Sequence, residues 1–252
     1  MRHTSVLKRL AGNWLLPFLD PRQLASVMRL PLFFAEWLRF TRGNGANARF
    51  SDLRPCLMDR TSHTPFDPHY FYQAAWIARH LAEAKPELHV DVGSSVGVVG
   101  VLSAHSPTIF VDCRPLQVRL SGLTTVAADI TGLPFANASA PSLSSLHVIE
   151  HVGLGRYGDP INPEGWLISL RELARVLAPG GRLYLSTPVG RERVCFNAHR
   201  VFAPATILNA LPELKLESFA LVDDSGKFSG ASDLSGAENL DYGCGMFALT
   251  KV

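Results

Sequence analysis

The segment from His89 to Gly97, with the sequence HVDVGSSVG, constrains the fold of this chain more than any other. A short β-branched run ends in an acidic residue, glycines and serines follow, and a helical pattern of small residues begins at Val96. This order predicts a strand, a tight turn and the start of a helix. Gly93 and Gly97 allow the backbone to approach a ligand closely, and the helix start supplies unpaired N–H groups. The turn is a candidate site for a nucleotide-like ligand, although such turns also occur without one.

Length and composition indicate one large α/β domain with an appendage. The chain has 252 residues, of which 47% are hydrophobic and 18% are charged, so it can bury a sizeable core. Residues 1–50 carry eight basic and two acidic side chains, whereas the remainder carries 16 basic and 20 acidic ones. The larger part is therefore mildly acidic, and we expect no nucleic-acid partner.

Cysteine spacing and hydropathy bear on the compartment. The four cysteines are far apart and form no C-x-x-C pair, which argues against a zinc ribbon or a disulfide framework. No apolar run reaches the length of a membrane span, and the amino terminus lacks the pattern of a signal peptide. These features predict a cytoplasmic protein.

Residues 1–49 form the predicted appendage, a basic amphipathic helical extension, and residues 50–252 form the α/β domain. Short helices are predicted around residues 5–16, 21–30 and 32–40, with leucines and aromatic residues opposite basic side chains that include Lys8 and Arg9. Such a face either packs on the domain or a partner chain, or lies on an anionic membrane surface. The second alternative would place residues 1–42 in peripheral contact with the inner face of the membrane.

The remaining pattern alternates helices with strands, as in a doubly wound sheet. Helices are predicted at residues 68–84, 98–104, 166–177 and 205–211, and strands at residues 108–112, 126–130, 142–147, 182–186, 214–222 and 246–251. The last two strands are expected to be antiparallel and to close the sheet edge. Asp112 ends its strand about twenty positions after the glycine turn, where a carboxylate can accept both hydroxyls of a ribose. Glu150 and His151 follow the fourth strand, at the edge where open α/β sheets bind ligands.

Five segments in this order resemble the motif series of class I S-adenosylmethionine-dependent methyltransferases: VDVGSSVG, VDCRPL, ADITGLPF, HVIEHV and LARVLAPGGRLYLSTP. The resemblance covers roughly residues 86–190. It implies a Rossmann-like methyltransferase fold, which is a doubly wound, mostly parallel seven-stranded sheet with an antiparallel last strand. It also implies S-adenosylmethionine as the cofactor. GLGRYGDPINPEG and CFNAHRVF further resemble a methyltransferase-like family of unassigned function found among surface-polysaccharide biosynthesis proteins, which implies a saccharide acceptor by analogy.

The resemblance also assigns roles to individual positions. It implies that one set of residues surrounds the methionine part of the cofactor: Asp91, Gly93, Ser95 and Gly97. Asp112 would hold the ribose hydroxyls, Asp129 and Ile130 would flank the adenine, and His147 would lie beside the sulfonium and the substrate. Ser95 departs from the family pattern, because a glycine is common at this position. Its hydroxyl would either crowd the cofactor or hydrogen-bond its carboxylate.

Methyl transfer to a hydroxyl requires a positioned acceptor and a base that takes its proton. His151, His147 and His199 are the candidate bases, and Glu150 or Asp159 can orient an imidazole or act alone. Each of these residues can also have a purely structural role. The scattered oxygen and nitrogen ligands have no tight spacing, and we therefore expect no metal.

Arginines are concentrated between residues 191 and 200, close to the expected mouth of the site. Arg191, Arg193 and Arg200 suit a phosphate or carboxylate, as in a nucleotide sugar or a lipid-linked phosphosugar. The alternative is a solvated loop.

The sequence therefore favours a methyltransferase that modifies oxygen on a saccharide or another small hydroxylated acceptor, free or lipid-linked. A competing hypothesis is a protein of the same fold that does not catalyse and serves as a binding partner in polysaccharide biosynthesis. A nicotinamide oxidoreductase shares the glycine turn, but no segment resembles its substrate half.

Overall fold

A computed structural model describes residues 26–43, 48–114 and 116–252. The predicted helix at residues 5–16, the start of the predicted helix at residues 21–30, and Lys8 and Arg9 lie outside these ranges. The chain divides into two compact units, Met1–Phe66 and Asp67–Val252. The boundary expected after residue 49 falls within the first unit and stays a prediction.

The first unit contains helix α1, Leu30–Thr41, and a short 3-10 turn, Phe50–Asp52. The Trp37 indole donates a hydrogen bond of 3.1 Å to the Ala48 carbonyl and packs edge-on against Phe50. No residue of α1 is buried. Throughout the described ranges, no helix combines the length and the apolar character that a membrane crossing requires.

The second unit is built around one large sheet. Its strands are β1 His89–Val92, β2 Thr108–Asp112, β3 Leu123–Ala127, β4 Ala140–Leu146, β5 Leu177–Val189, β8 Leu214–Val222, β9 Phe228–Ser229 and β10 Gly243–Lys251. The helices are α2 Pro68–Ala84, α3 Val96–Leu102, α4 Gly165–Val176 and α5 Pro204–Asn209. A separate hairpin pairs β6 Arg193–Cys195 with β7 His199–Val201.

The strand order is β3-β2-β1-β4-β5-β10-β8-β9, with β3 to β5 parallel to one another and β10 antiparallel to both β5 and β8. This arrangement confirms the predicted fold class, and the two-residue β9 adds an eighth strand to the predicted seven. The chain moves outward from β1 to β3 and then crosses to β4. The sheet therefore has its topological switch point between β1 and β4.

The last two long strands are antiparallel and lie toward one edge of the sheet, as expected, but β10 inserts between β5 and β8, so β8 and the two-residue β9 are outermost. The sequence of β10, GCGMFALTK, carries no charge before Lys251, and its first seven residues are buried. A strand buried on both faces suits the sheet interior. By contrast, β8 exposes Lys215 and Glu217 and lies nearer the edge.

Two segments differ from their predicted bounds or structure. The third strand was expected at residues 126–130, but β3 ends at Ala127, so Asp129 lies in the following turn. Its carboxylate accepts hydrogen bonds from the Thr131 N–H at 2.8 Å and the Thr131 hydroxyl at 2.7 Å, a local pattern that favours turns over strands. The segment expected as a loop, residues 187–203, contains the end of β5 and the β6–β7 hairpin.

Helices cover both faces of the sheet. On one face, α2 packs Trp76, Ile77 and Leu81 into a core that includes Met246 of β10. On the other face, α4 contributes to a second core through Leu170, Leu173 and the residues around them. The strands are therefore fixed from both sides, and the loops at their carboxyl ends remain to form a site.

Candidate active site

A cleft of about 700 Å³, counting its open mouth, lies at the carboxyl ends of β1 to β4. Its lining residues are Val92, Gly93, Val111, Asp112, Cys113, Arg114, Ala128, Asp129, Ile130, His147, Val148, His151, Val152, Tyr157 and Asp159. This is the switch point of the sheet, where doubly wound folds bind ligands. The cleft brings Gly93, Asp112, Asp129, Ile130 and His147 together, all of which the sequence predicted at a cofactor.

The two glycines of the turn, Gly93 and Gly97, have different surroundings. Gly93 has φ of 75°, and a Cβ there would lie 2.9 Å from the Val148 Cγ1 atom, so the packing of the chain itself requires glycine. Gly97 is exposed, and a Cβ there would meet no atom within 4 Å. Ser95 is the N-cap of α3, but its exposed hydroxyl makes no capping hydrogen bond. Neither Ser95 nor Gly97 lines the cleft, so their roles at a cofactor stay predictions.

Beneath the turn lies a buried group that we call the serine network, formed by His89, Asp91, Ser94, Ser142 and Ser144. Asp91 accepts hydrogen bonds from the Ser94 N–H at 3.1 Å, from the Ser94 hydroxyl at 2.7 Å and from the Ser144 hydroxyl. His89 lies 2.8 Å from the hydroxyls of both Ser142 and Ser144.

These contacts fix the tautomer of His89. The Ser144 hydroxyl donates to Asp91, so it accepts from the His89 Nε2–H, and the His89 Nδ1 atom accepts from Ser142. Burial lowers the pKa of His89 to about 3, which keeps the imidazole neutral. Burial raises the pKa of Asp91 to about 6, against the opposing effect of its hydrogen bonds with Ser144 and Ser94. Asp91, which the resemblance implies near the methionine, thus lies under the turn and holds its shape.

The far wall of the cleft carries the predicted ribose and adenine residues. The Asp112 side chain is 14% exposed, and its Oδ1 atom accepts the Arg114 N–H at 2.7 Å. Arg114 extends over the Tyr157 ring, with its guanidinium carbon 4.5 Å from the ring centroid. This cation–π contact links the end of β2 to the loop after β4 across the cleft. Ile130 is buried and supplies an apolar surface next to Asp129.

A second polar group, which we call the glutamate cluster, lies around Glu150 in the segment after β4. Glu150, His147 and Cys244 are buried, and the other members are the partly buried His69, His151 and His199 and the exposed Tyr242. The Glu150 side chain is 0% exposed. Its Oε1 atom lies 2.9 Å from the His147 Nδ1 atom and 3.8 Å from the His151 Nε2 atom. Neither carboxylate oxygen has a partner with hydrogen-bond geometry among the described residues, so the His147 contact is an ion pair.

His147 is held tightly. It adopts the left-handed conformation with φ of 54°, which is costly for a residue other than glycine, and its N–H donates to the Ser186 carbonyl at 2.9 Å. Its Nε2 atom lies 3.3 Å from the Cys244 sulfur. Burial lowers the pKa of His147, but Cys244 and Glu150 together outweigh burial and raise it well above the usual value. Both nitrogens of His147 are thus engaged.

His151 is more accessible to a ligand. Its Nδ1 atom lies 2.7 Å from the Ala198 carbonyl, an acceptor, and 3.2 Å from Arg156 Nη1, a donor. We assign the proton to Nδ1 because the carbonyl is closer, which leaves the lone pair on Nε2. Burial lowers the pKa of His151, partly against the charge of Glu150. His199 packs against the Tyr242 ring at 4.9 Å and does not line the cleft. Of the three histidines predicted as bases, His147 and His151 line the cleft.

The predicted arginines differ in their surroundings, because Arg200 is buried whereas Arg191 is largely exposed. Arg200 is buried and donates to the carbonyls of Glu150, Val152 and Pro163, which holds the loop after β4. Arg191 forms a 2.9 Å ion pair with Asp241. The expectation of a phosphate grip is therefore wrong for Arg200.

Asp159 likewise organises a loop. It accepts the backbone N–H groups of Gly153, Gly155 and Tyr157 at 2.7, 3.3 and 3.2 Å. Burial raises the pKa of Asp159, but these hydrogen bonds outweigh burial and lower it. Asp159 thus fixes the loop that carries Tyr157 over the cleft.

His69, Tyr242 and Cys244 are not among the site residues that the sequence predicts. His69 stacks on Tyr242 at 5.2 Å and lies 5.5 Å from the His147 ring, measured between centroids. Burial, followed by the neighbouring His147, lowers the pKa of His69 to about 4. The direction of the last strand could have indicated the position of Cys244. Because β10 is antiparallel, its amino end, with Cys244, lies at the carboxyl ends of β4 and β5.

Comparison with known structures agrees with the fold. N-methyltransferase NodS from Bradyrhizobium japonicum WM9, solved with S-adenosyl-L-homocysteine, superimposes with a TM-score of 0.53 at 14% identity, over 86% of this chain and 97% of that one. Geranyl diphosphate C-methyltransferase from Streptomyces coelicolor A3(2), solved with Mg²⁺, geranyl diphosphate and S-adenosyl-L-homocysteine, gives 0.51 at 15% identity, over 73% and 81%. The [4+2]-cyclase SpnF gives 0.51 at 14% identity, over 69% and 79%. At these identities the likeness establishes the fold.

Sequence comparison covers a shorter part of the chain. Residues 135–222, which include β4 to β8, match a family described as Caenorhabditis protein of unknown function, DUF268. A search of curated proteins finds no significant match.

Proposed function

We propose that this protein is an S-adenosylmethionine-dependent methyltransferase that methylates a hydroxyl of a saccharide or another small acceptor. The observation that carries the proposal is the cleft at the switch point, where Gly93, Asp112, Ile130 and His147 converge from the ends of four successive strands. The likeness to methyltransferases solved with S-adenosyl-L-homocysteine supports the same proposal.

The residues of the cleft fit this cofactor. Asp112 is partly exposed and offers a carboxylate to ribose hydroxyls, while Ile130 offers an apolar surface to a base. Gly93 keeps the turn close to the cleft without a side chain. The cofactor would supply an electrophilic methyl group on sulfur, and the protein would supply position and proton transfer.

His151 is our candidate for the general base. It lines the cleft, its Nδ1–H is directed to the Ala198 carbonyl, and its Nε2 atom keeps a lone pair. The buried Glu150 carboxylate, 3.8 Å from Nε2, would stabilise the imidazolium that forms when the acceptor loses its proton. His147 is less suited to this step, because Glu150 and Cys244 already engage its two nitrogens.

An acidic pocket beside the glutamate cluster favours an uncharged, hydroxyl-rich acceptor. It is lined by Asp67, Pro68, His69, Asp223, Asp224, Gly226, Asp241 and Tyr242. These carboxylates also have protein partners: Asp67 caps α2, Asp224 accepts the N–H groups of Asp241 and Tyr242, and Asp241 pairs with Arg191. Their remaining lone pairs can accept hydrogen bonds from sugar hydroxyls, and their net negative charge disfavours a phosphate. The pocket therefore supports a neutral saccharide portion over the pyrophosphate contact expected from the arginines. The test is turnover on matched pairs of neutral and phosphorylated saccharides, with the neutral member of each pair favoured.

The exposed apolar and basic residues of the amino-terminal unit are compatible with an acceptor that is linked to a lipid. Leu38 and Phe40 are exposed on α1, near Arg39 and Arg42. We include in the proposal a peripheral contact of residues 1–42 with an anionic membrane surface. Flotation of the full chain with anionic vesicles, but not with neutral ones, checks it. Equal recovery with both kinds of vesicle contradicts it.

Asp112→Ala tests the cofactor site. We expect it to weaken binding of S-adenosylhomocysteine by about 10 to 100-fold, since it removes a charged acceptor of two hydroxyl hydrogen bonds. Calorimetric titration measures the affinity, and thermal unfolding confirms the fold. Glu217→Ala is the matched control, because this carboxylate is exposed on β8 with four strands between it and β2. Equal affinity in the two variants would show that Asp112 does not hold the ribose.

The alternative is a protein of this fold that does not catalyse methyl transfer and serves as a binding partner. The neighbour described as a [4+2]-cyclase carries the same fold with another chemistry, so the fold by itself does not select methyl transfer. The two hypotheses separate in one assay. Binding of S-adenosylhomocysteine without methyl transfer to any hydroxylated acceptor favours the alternative. Absence of binding at millimolar ligand removes the enzyme hypothesis.

A further inference from the structure

We propose that His69, His147 and Cys244 form a metal site for a zinc ion. One Nδ1 or Nε2 atom from each histidine and the Sγ atom of the cysteine all lie within 4.8 Å of one another. His147 and Cys244 are buried, and His69 is partly buried. The three residues come from α2, the end of β4 and the start of β10, and the fold alone brings them together.

The distances suit tetrahedral coordination. Zinc binds histidine nitrogen at about 2.0 to 2.1 Å and cysteine sulfur at about 2.3 Å, which places ligand atoms roughly 3.3 to 3.7 Å apart. The His147 Nε2 atom and the Cys244 sulfur are already 3.3 Å apart. The His69 ligand atom has to approach by at most about 1.5 Å to meet the same spacing. Asp67 accepts the His69 backbone N–H at 2.9 Å and holds the backbone, so this approach has to come from the side chain.

Glu150 occupies the position of an outer carboxylate. Metal-bound histidines commonly direct their second nitrogen to a carboxylate, which fixes the ring and increases its basicity as a ligand. The His147 Nδ1 atom lies 2.9 Å from Glu150 Oε1, on the side of the ring opposite to Cys244. Glu150 is completely buried, and its oxygens lack hydrogen-bond partners among the residues described. A cation bound by the three ligands would offset this buried negative charge.

Ligand chemistry narrows the choice of metal. A thiolate with two imidazoles suits zinc or copper, whereas calcium and magnesium prefer oxygen ligands. Three protein ligands leave the fourth position open, as in catalytic zinc sites. His147 lines the cleft and His69 lines the acidic pocket, so the open position lies between them. If the proposed function holds, an acceptor hydroxyl can bind there and lose its proton more easily.

The experiment uses the untagged, reduced full chain after treatment with a chelator. Titration with Zn²⁺ measures affinity, and titration with Co²⁺ gives visible bands that report tetrahedral geometry and a near-ultraviolet band that reports a sulfur ligand. We expect His69→Gln and Cys244→Ser each to weaken Zn²⁺ binding by more than about tenfold, and Cys244→Ser to remove the sulfur band. Glu150→Gln should weaken binding by about 10 to 100-fold with the sulfur band retained.

Matched controls are Cys195→Ser, a partly buried cysteine outside the cluster, and His105→Gln, an exposed histidine at the amino ends of the strands. Both should bind Zn²⁺ and Co²⁺ as the unmodified chain does. Absence of the cobalt bands, or unchanged affinity in His69→Gln, overturns the proposal. His69 is only partly buried, so this variant keeps the test valid if Cys244→Ser fails to fold.

The same samples are titrated with S-adenosylhomocysteine, which separates the two proposals. Cofactor binding without zinc binding removes the metal site and leaves the methyltransferase proposal intact. Zinc binding without cofactor binding removes the methyltransferase proposal and leaves the metal site intact.

Discussion

The serine network and the glutamate cluster are both polar groups at one end of the same sheet, yet they differ in how their polar atoms are satisfied. In the serine network, His89 and Asp91 have partners at 2.7 to 3.1 Å together with the short Ser144 contact. In the glutamate cluster, Glu150 is equally buried, but its oxygens have no hydrogen-bond partner in the described part of the chain.

This difference separates a structural role from a functional one. A fully satisfied network rigidifies the structure and fixes a conformation, and here it fixes the turn from Gly93 to Gly97. Glu150 has ion-pair contacts with His147 and His151 at 2.9 and 3.8 Å but, among the described residues, no partner with hydrogen-bond geometry, and native proteins retain such incompletely satisfied buried carboxylates where they act on a ligand. The serine network therefore shapes the cofactor turn, whereas the glutamate cluster is the place where we propose chemistry.

The largest expected effect is on turnover. His151→Gln should lower kcat by about 10²- to 10⁴-fold, the range for loss of a general base, with little change in affinity for S-adenosylhomocysteine. Activity should fall at acidic pH, when His151 becomes protonated. Because burial lowers the pKa of His151, the pH of this fall should lie below the usual pKa range of histidine. A pH–rate profile of the unmodified chain measures this limb, and His105→Gln is the control. Full activity of His151→Gln would place the base elsewhere in the cluster.

The next effect is on stability. Ser144→Ala should destabilise the fold by about 2 to 3 kcal/mol, because it leaves the buried His89 Nε2–H without a partner and removes one of the two hydroxyl hydrogen bonds that Asp91 Oδ2 accepts. Ser145→Ala is the matched control, since this neighbour donates a single hydrogen bond of 3.0 Å to the Val92 carbonyl and should cost about 1 kcal/mol. Chemical denaturation measures both values. Equal losses would mean that the network contributes no more than an ordinary hydrogen bond.

The smallest effect is a pH dependence from His89. Its pKa is about 3 when folded and 6.5 ordinarily, so between these values the unfolded chain holds a proton that the folded chain does not. Its contribution to stability is present above pH 6.5 and is lost as the pH falls, by about 2 kcal/mol at pH 5. Asp91 opposes this trend, because its raised pKa of about 6 makes the folded chain take up a proton first.

Comparison of His89→Gln with the unmodified chain isolates the histidine. The stability difference between them should narrow by about 2 kcal/mol between pH 7.5 and pH 5, while the contribution of Asp91 cancels. A constant difference across this range would show that His89 does not stay neutral in the folded state.

Much of the fold could be predicted from local pattern. The bounds of α2, β2 and β8 are those expected, because capping, β-branching and a terminal acidic residue mark them within the segment itself. β3 was misplaced by three residues, since Asp129 satisfies its hydrogen bonds in a turn that the pattern VAADI does not reveal. The position of β10 in the sheet depended on the burial of both its faces. This burial is produced by the elements that pack around β10, so its own sequence did not reveal it.

The sequence alone determined the order of strands and turns and the carboxylate at the end of β2, because these depend on residues close together in the chain. Only the tertiary structure decided which residues share the site. It buried Asp91 beneath the turn, gave Arg200 to backbone carbonyls, and brought His69 and Cys244 to His147 from positions 78 and 97 residues away in sequence. Contacts over such separations depend on strand order and direction, and no local pattern records them.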